Sequence, residues 1–466
     1  MKVSIRNLGV IKEEATLDLK PLTVLIGPNN EGKTWLAYSL AGILGSFGSS
    51  EYIQAYADKK VPNTYEPLDN AIEQVLTEGN ATIDLRKFAD EYGEKYFNDV
   101  AQYARNWMGR FLSTQRVSFT DMDISLELGE TKADFLHQIT QYAQVSRVAK
   151  SILTIRKNQG EDKLFAFTST DIQGSDGQEE RLAEKIPLAE VRERLIYFVA
   201  TALHMSLYPQ IYVFPTERPS IIENRSGITR LSVLFPSERA IPRKAIWPLR
   251  DFTKMLDDIF ENGPLDDEVR WQNPATQKYI QLAETLEQQI LVGNVSLSTP
   301  EPDPNREVLF QPTQNVHLEI SIASSMVKEL SPLALYLRHL ATPGELVIID
   351  EPEMNLHPAA QVKIIEFLAM LVNAGLHVLI TTHSSYVVDH LVNLMDAHKH
   401  KNQDEIVEMF LLEQKEAFID QEKVSVYLVE DGKVKNVLSP EGAIDWGTFS
   451  EVSRLVGRIH FELLGE

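Results

Sequence analysis

Cysteine is absent from this chain. Disulfides, thiolate-held metals and a cysteine nucleophile are therefore excluded, which suits a reducing compartment such as the cytoplasm. Long apolar runs are missing too. No stretch reaches the roughly 18 consecutive apolar residues of a membrane span, and Met1-Lys2-Val3-Ser4-Ile5-Arg6 lacks the apolar segment of a signal peptide. The expectation is a cytoplasmic protein with no membrane partner. Positive charge is also scarce. The chain has 45 Lys and Arg against 67 Asp and Glu, a formal charge of −22. Affinity for nucleic acid comes from neutralising phosphates, so any such contact is confined to a local patch on an acidic body. What is present is ordinary for a globular protein: 466 residues, 43% of them hydrophobic, long enough for more than one domain and a substantial core.

Along the chain the first residues read as strand, strand, loop, helix. Val3-Ser4-Ile5 and Ala15–Leu19 alternate as half-buried strands do. Leu22–Ile26 is a continuous apolar run, as expected of a strand covered on both faces. Helical spacing then runs from Lys33 to Leu44, ended by the Gly/Ser-rich segment 45–50. From 50 to 205 the pattern changes. Ala81–Leu112 predicts one long amphipathic helix. Ile124–Leu128 predicts a strand, and Ile152–Ile155 with Leu164–Phe167 a hairpin, while Ser169–Glu180 is polar and loop-like. Ile211–Pro215 returns to a buried-strand pattern, and about 220–295 is mixed helix and loop. From Leu318 a strand, a helix from Ser324, a strand Leu346–Asp350, a helix near Pro358, a strand His377–Thr381 and a further helix follow in order. Strands alternating with helices predict an α/β fold with a parallel sheet. The expected domains are 1–48 and 206–466, forming one α/β head with a helical subdomain near 220–295, and a mainly helical insertion with a β-hairpin at 49–205.

Three strand ends carry chemistry. Gly27-Pro28-Asn29-Asn30-Glu31-Gly32-Lys33-Thr34 matches G-x-x-x-x-G-K-[ST] between a predicted strand and helix. Its glycines let backbone N–H groups wrap phosphates, and the following helix adds its positive dipole end. Lys33 is expected on the β- and γ-phosphates of ATP and the Thr34 hydroxyl on Mg²⁺. Leu346–Glu351 brings two adjacent carboxylates to a strand's C-terminal end, where ligands bind in such sheets. Asp350 is expected to organise the metal with Thr34, and Glu351 to orient or deprotonate the attacking water. His377–Ser384 is a third buried strand, ending in His383, placed to contact the γ-phosphate or that water.

These motifs, in this order, resemble the ATP-binding-cassette class of P-loop ATPases, in particular its RecF/SMC/OLD-like branch. The resemblance covers about 1–45 and 206–400. It is carried by Ile5-Arg6-Asn7-Leu8, Gly27–Thr34, Tyr212–Arg218, Ala323–Leu330, Ile349–Pro358 and Thr381–Ser384. It implies that Ser324 and Ser325 stand where the family's signature motif caps a helix facing the partner's ATP, although Ser325 and Met326 replace the usual glycine pair. It implies that Asn355–Pro358 crosses a dimer interface, and that Glu217 and Arg218 take the place of the loop sensing Mg²⁺ and γ-phosphate. The implied assembly is a homodimer, or higher homo-oligomer, through the ATPase heads. The implied role is that of a sensor or scaffold acting on a separate effector, such as a nuclease, as in bacterial anti-phage systems.

Several OLD-like relatives continue into a Toprim nuclease, which needs a Glu and a later Asp-x-Asp. Glu430-Asp431 is followed by no Asp-x-Asp, so no nuclease is expected. Glu430–Lys433 reads instead as a hairpin turn between Val424–Val429 and Val434–Leu438. Two basic stretches, Arg239/Arg243/Lys244/Arg250/Lys254 and His398–Lys401, read as solvated faces, the first being the preferred place for any nucleic acid or protein partner. A RecF-type DNA-repair ATPase is the alternative, disfavoured by the acidic balance. A transporter's energising subunit ranks last, because Asp350 lies 317 positions beyond Lys33.

Overall fold

The computed structural model describes residues 1–147, 153–168, 187–223, 246–298 and 307–445, with three single positions beyond, and only the backbone of 264–267. The chain forms two compact units. One comprises Met1–Arg6, Gly42–Gly109 and Arg116–Gln210; the other comprises Asn7–Ala41, Arg110–Gln115 and Ile211–Glu466.

The larger unit is organised by a sheet whose central strands are apolar along their whole length. Among the described residues the strands are β1 (Lys2–Arg6), β2 (Ala15–Asp18), β3 (Leu22–Ile26), β4 (Asn80–Asp84), β5 (Asp123–Glu127), β6 (Gln144–Arg147), β7 (Leu153–Lys157), β8 (Lys163–Thr168) and β9 (Ile211–Phe214). They continue with β10 (Asn294–Ser298), β11 (Glu307–Thr313), β12 (Val316–Glu319), β13 (Leu346–Asp350), β14 (His377–Thr382), β15 (Val424–Glu430) and β16 (Lys433–Asn436). The main sheet has the order β16-β15-β3-β14-β13-β9. β15, β3, β14, β13 and β9 run parallel, and β16 closes the edge as an antiparallel hairpin partner. Every residue of β3 and β13 is buried, as a parallel sheet covered on both faces requires. The register aligns the strand ends: Ile26 pairs with Thr382 and with Leu428, Thr381 with Asp350, and Ile349 with Phe214. The turns that follow these strands therefore emerge side by side along one edge.

Among the described residues the helices of ten residues or more are α1 (Lys33–Leu44), α2 (Ser46–Ala57), α3 (Glu66–Glu78), α4 (Leu85–Tyr103), α5 (Lys132–Gln141), α6 (Leu188–Leu207), α7 (Trp247–Gln272), α8 (Pro274–Thr285), α9 (Ser325–His339), α10 (Pro358–Asn373) and α11 (Ser385–Lys399). The core joins Val24, Val347, Ile349, Val378 and Ile380 of the sheet with Leu333, Leu337, Ile364, Leu368, Val388 and Leu391 of α9, α10 and α11. Each such side chain contributes roughly 1.5–3 kcal/mol on burial. Ser324 and Ser384 cap α9 and α11, and the His357 imidazole accepts from the N–H of Ala359 at the start of α10. A second sheet, β10-β11-β12, is antiparallel. The region near 220–295 contains the expected helices, α7 and α8. The chain then enters β10, and the strand expected from Leu318 begins earlier, at Val316. The expected hairpin turn is present: Asp431 and Gly432 take φ of 51° and 74° between β15 and β16, the left-handed pair that a tight Asp-Gly turn uses.

The smaller unit pairs β1 with β5, Val3 against Leu126, and builds an antiparallel sheet in the order β4-β8-β7-β6. The hairpin expected from the sequence is β7–β8, at the centre of that sheet. The single helix expected over Ala81–Leu112 is corrected: Asn80–Asp84 is a strand, and α4 starts at Leu85. Ala81 and Ile83 are buried while their neighbours are exposed, and they pair with Ala166 and Leu164 of β8. Asp84 accepts from the N–H of Lys87 at 2.8 Å and so caps the helix that follows. Beneath the unit's helices lie buried Trp107, Tyr52, Tyr65 and Tyr96. The Tyr65 hydroxyl there donates to the Asp99 carboxylate at 2.7 Å. The polar segment Ser169–Glu180, Ile152, and Arg239, Arg243 and Lys244 of the first basic stretch lie outside the described residues.

Candidate active site

The glycine loop leaves β3 with backbone angles that exclude other residues. Gly27 has φ +141°, and a Cβ there would lie 2.2 Å from the carbonyl oxygen of Val429. Gly32 has φ +102°, and its Cβ would meet Val10 at 2.6 Å. Asn30 takes the left-handed region at φ 67°, which Asn tolerates better than most residues. Pro28, Asn29, Asn30 and Glu31 form the arch between the glycines, with Asn29 and Asn30 exposed. The Glu31 carboxylate accepts from the N–H of Asp431 at 2.9 Å, which ties the arch to the β15–β16 turn. Leu36 N–H donates to the Gly32 carbonyl at 2.9 Å, opening α1 at the last glycine.

Lys33 is buried, and its ammonium donates to the carbonyls of Gly27 and Pro28 at 2.8 and 2.7 Å. Burial lowers its pKa, against the opposing pull of Glu351, Asp350, Glu353 and Glu31. Thr34 is next on the helix. Its hydroxyl donates to both carboxylate oxygens of Asp350, at 3.0 and 3.1 Å. The two residues, far apart in sequence, thus meet across two strands. Tyr38, one turn after Thr34 on α1, donates to Asp350 Oδ2 at 3.1 Å, and the Thr381 hydroxyl of β14 donates to Oδ1. Asp350 is 1% exposed. Its burial raises the carboxyl pKa, and the three hydroxyl donors pull it back down.

Glu351 adopts a left-handed conformation, φ 49°, which costs a non-glycine residue about 1–2 kcal/mol. Its N–H donates to both the carbonyl and the hydroxyl of Thr381, at 3.1 and 3.0 Å. The carboxylate then stands 3.4 Å from His383 Nδ1. His383 lies at the end of β14, half-exposed, with the Glu353 carboxylate 3.5 Å away on the same nitrogen. These are ion-pair separations. The pairing lowers the Glu351 pKa and raises that of His383. Glu353 is 3% exposed and accepts from the Thr382 hydroxyl at 2.6 Å and from the His383 N–H at 3.0 Å. Burial raises its pKa.

The donors suit magnesium: a carboxylate and a hydroxyl are hard oxygen ligands, and Mg²⁺ is commonly held by one or two protein oxygens with the rest from phosphates and water. Among the described residues no group of three or more His, Asp or Glu forms an all-protein metal cage.

Arg218 departs from its expected position. It is 1% exposed and its guanidinium is committed to the protein. Nη1 donates to the carbonyls of Pro215 and Asp350 at 2.9 and 2.7 Å, Nη2 to that of Glu351 at 2.9 Å, and Nε to that of Glu329 at 3.2 Å. The Glu329 carboxylate is 2.9 Å from Nε, and its other oxygen accepts from the Asn355 amide at 2.9 Å. A sensor of γ-phosphate needs free donors, and four of the five guanidinium N–H groups are spent on these carbonyls behind the strand ends. Ser324 spends its hydroxyl as the cap of α9, accepting from Val327 N–H at 3.4 Å, and Ser325 is exposed in the first turn. Among the described residues neither serine hydrogen-bonds to Lys33, Thr34 or Asp350. In the basic stretches, the Arg250 guanidinium lies over the Trp247 ring at 5.6 Å and Lys399 donates to Gln421 at 2.7 Å.

Sequence reasoning missed Tyr38, Thr381 and Glu353. Tyr38 was accessible, since positions four apart share a helix face. Thr381 and Glu353 acquire their roles only through strand pairing and the fold of the turn.

No curated protein matches the chain. Among solved structures it is similar to the Smc head domain with an extended coiled coil, bound to the C-terminal domain of ScpA, from Pyrococcus furiosus. The identity is 12%, covering 98% of each chain, with a TM-score of 0.34. It is also similar to the SmcHead bound to the C-winged helix domain of ScpA (12% identity, 94% of this chain and 98% of that one, TM-score 0.36). A third is the SMC head domain from Thermotoga maritima (11% identity, 84% and 90%, TM-score 0.29). The family model described as "AAA ATPase domain" matches residues 1–388. This chain, with its mixed α/β P-loop ATPase fold, belongs to the AAA ATPase domain family.

Proposed function

We propose that this protein binds MgATP at the Gly27–Thr34 loop and hydrolyses it with Glu351 and His383, and that the cycle closes and opens a head-to-tail dimer of two copies with nucleotide between their ATPase heads. The reading is carried by one observation: Thr34 and Asp350 share hydrogen bonds although 316 residues separate them. In this reading the N–H groups of the arch hold the phosphates, and Lys33 exchanges the Gly27 and Pro28 carbonyls for β- and γ-phosphate oxygens. Mg²⁺, held by Thr34 and Asp350, supplies charge neutralisation at those phosphates. The Glu351 carboxylate, kept ionised beside His383, accepts a hydrogen bond from the attacking water and takes its proton as the water oxygen bonds to the γ-phosphorus and the bond to the β–γ bridging oxygen breaks, releasing ADP. His383 holds that carboxylate in place and donates to the γ-phosphate from its exposed side.

Dimerisation and regulation rest on the motif resemblance. Ser324 and Ser325, exposed at the start of α9, and the exposed Asn355 are the positions that resemblance assigns to contact with a second head. The partner proposed is a separate effector, such as a nuclease, in the manner of ATPase components of bacterial anti-phage systems. Glu351→Gln keeps the volume and loses the charge. It is expected to bind ATP as the wild type does while turnover falls about 100-fold or more, the usual weight of a positioned base. Normal turnover by that variant would end the assignment of Glu351. Affinity capture on the same variant tests the effector; hydrolysis that is DNA-stimulated and salt-sensitive would favour a DNA clamp instead.

A further inference from the structure

We propose that Arg218 is the positioning residue for hydrolysis: from behind the sheet edge it holds the Asp350–Glu351 backbone in the geometry that presents the Glu351 carboxylate, and Glu329 and Asn355 hold Arg218 in turn. The inference rests on the role of Glu351 proposed above and adds residues outside the phosphate loop to it.

The backbone of Glu351 is in a conformation that a side-chain-bearing residue leaves unless its surroundings fix it on both sides. On the amino side, Thr381 takes the N–H through two acceptors. On the carboxyl side, the carbonyls of Asp350 and Glu351 have a common donor, the two Nη atoms of Arg218. The planar fork spans both carbonyls at fixed spacing, which the single point charge of a lysine cannot do. It reaches the Pro215 carbonyl as well, so the ends of β9 and β13 are set against each other by one group. Release of the two carbonyls would remove the donors that hold this turn from its carboxyl side. The turn would then relax toward negative φ and carry the Glu351 carboxylate away from His383.

The guanidinium is held from its far side by α9. Glu329 is 1% exposed and meets Nε with its carboxylate and with its own carbonyl. Its remaining oxygen is fixed by Asn355, which lies in the loop after Glu351 and has φ 60°. The chain Asn355–Glu329–Arg218–Glu351 is therefore continuous from an exposed amide to the proposed base. None of its members touches the glycine loop through a hydrogen bond among the described residues. A positioning role thus changes turnover and leaves nucleotide affinity in place, whereas a merely structural role changes both or neither.

The test uses the full-length protein, with ATP affinity measured by fluorescent-nucleotide titration and turnover by phosphate release. Glu329→Gln removes the negative charge beside Nε and reduces two acceptor oxygens to one, so the guanidinium and the Asn355 amide can no longer both be held. We expect kcat to fall at least ~10-fold, since misplacement of the order of 1 Å can cost 100-fold, with Kd for ATP within about twofold of wild type. Asn355→Gly tolerates the positive φ and removes the exposed amide alone; a smaller fall, about threefold, with unchanged Kd is expected. If Glu329→Gln does not fold, Asn355→Gly decides. Unchanged kcat in the folded variants, or a Kd that weakens in parallel with kcat, overturns the proposal. Glu351→Gln, run alongside, separates the two failures. If it is inactive while Glu329→Gln and Asn355→Gly are normal, only the Arg218 assignment falls. If it turns over normally, the base assignment falls and the Arg218 proposal with it.

Discussion

Replacing Thr381 by valine removes one hydroxyl from the centre of the site with almost no change in shape. That hydroxyl is buried, donates to Asp350 Oδ1 and accepts from the N–H of Glu351 at 3.0 Å. Two losses follow. The bond to an ionised carboxylate is worth about 1.5–3 kcal/mol. Asp350 keeps Thr34 and Tyr38 as donors, so the lower end of that range applies. The bond from Glu351 N–H costs less, because the Thr381 carbonyl remains as an acceptor at 3.1 Å. The sum is about 2 kcal/mol, and for a unit of this size each kcal/mol displaces Tm by roughly 2–4 °C. Thr381→Val should therefore melt about 4–8 °C below wild type by differential scanning fluorimetry, using those same conversion factors. Turnover should fall as well, since the carboxylate pair loses its shared anchor. Thr381→Ser is the control: it restores both hydrogen bonds and loses only a methyl group. Equal behaviour of the serine and valine variants, or a valine variant that melts and turns over like wild type, would refute the reasoning.

Three further outcomes follow from the same geometry. Gly27→Ala places a Cβ 2.2 Å from the Val429 carbonyl at a φ of +141°, so it should abolish ATP binding and lower stability by 2 kcal/mol or more, about what a forced φ and overpacking together cost; calorimetric titration with ATP checks this. Lys33→Ala removes the one ammonium in the loop and should weaken ATP binding at least ~100-fold, the scale of a lost charge-assisted contact, measured with the same titration. His204 is buried, donates from Nδ1 to the Leu44 carbonyl at 2.9 Å, and has its pKa pushed down to about 4 by burial. Because the folded pKa lies below the unfolded value, its contribution is complete above about pH 6.5 and is lost as pH falls from there toward 4. Relative to His204→Gln, wild type should lose about 2 kcal/mol between pH 7 and pH 5, at ~1.4 kcal/mol per pH unit below 6.5; a urea-denaturation difference that stays flat over that range contradicts it.

Much of the site was legible before any coordinates because its chemistry is local. The glycines, Lys33 and Thr34 are dictated by the turn they form, and Asp350, Glu351 and His383 follow apolar runs that only a doubly covered strand explains. The side-by-side arrangement of those strand ends was an inference from alternation of strands and helices, and the register carries it out. What was illegible depends on distant partners. Asn80–Asp84 continues a helical pattern in sequence, and only pairing with β8 makes it a strand. β15 carries no motif, yet it lies against β3 and supplies the Val429 carbonyl that makes Gly27 obligatory. The resemblance puts Arg218 in a loop that senses Mg²⁺ and γ-phosphate. Its role appears once β9, β13 and α9 bring four carbonyls around it.

The convergence of Thr34 and Asp350 on one metal–nucleotide is most directly tested by the magnesium dependence of ATP binding. Fluorescent-ATP titrations with and without Mg²⁺ should show tightening by the metal in wild type and in Glu351→Gln, and that tightening should vanish in Asp350→Asn. An Asp350→Asn protein whose ATP affinity responds to magnesium as wild type does would contradict the account.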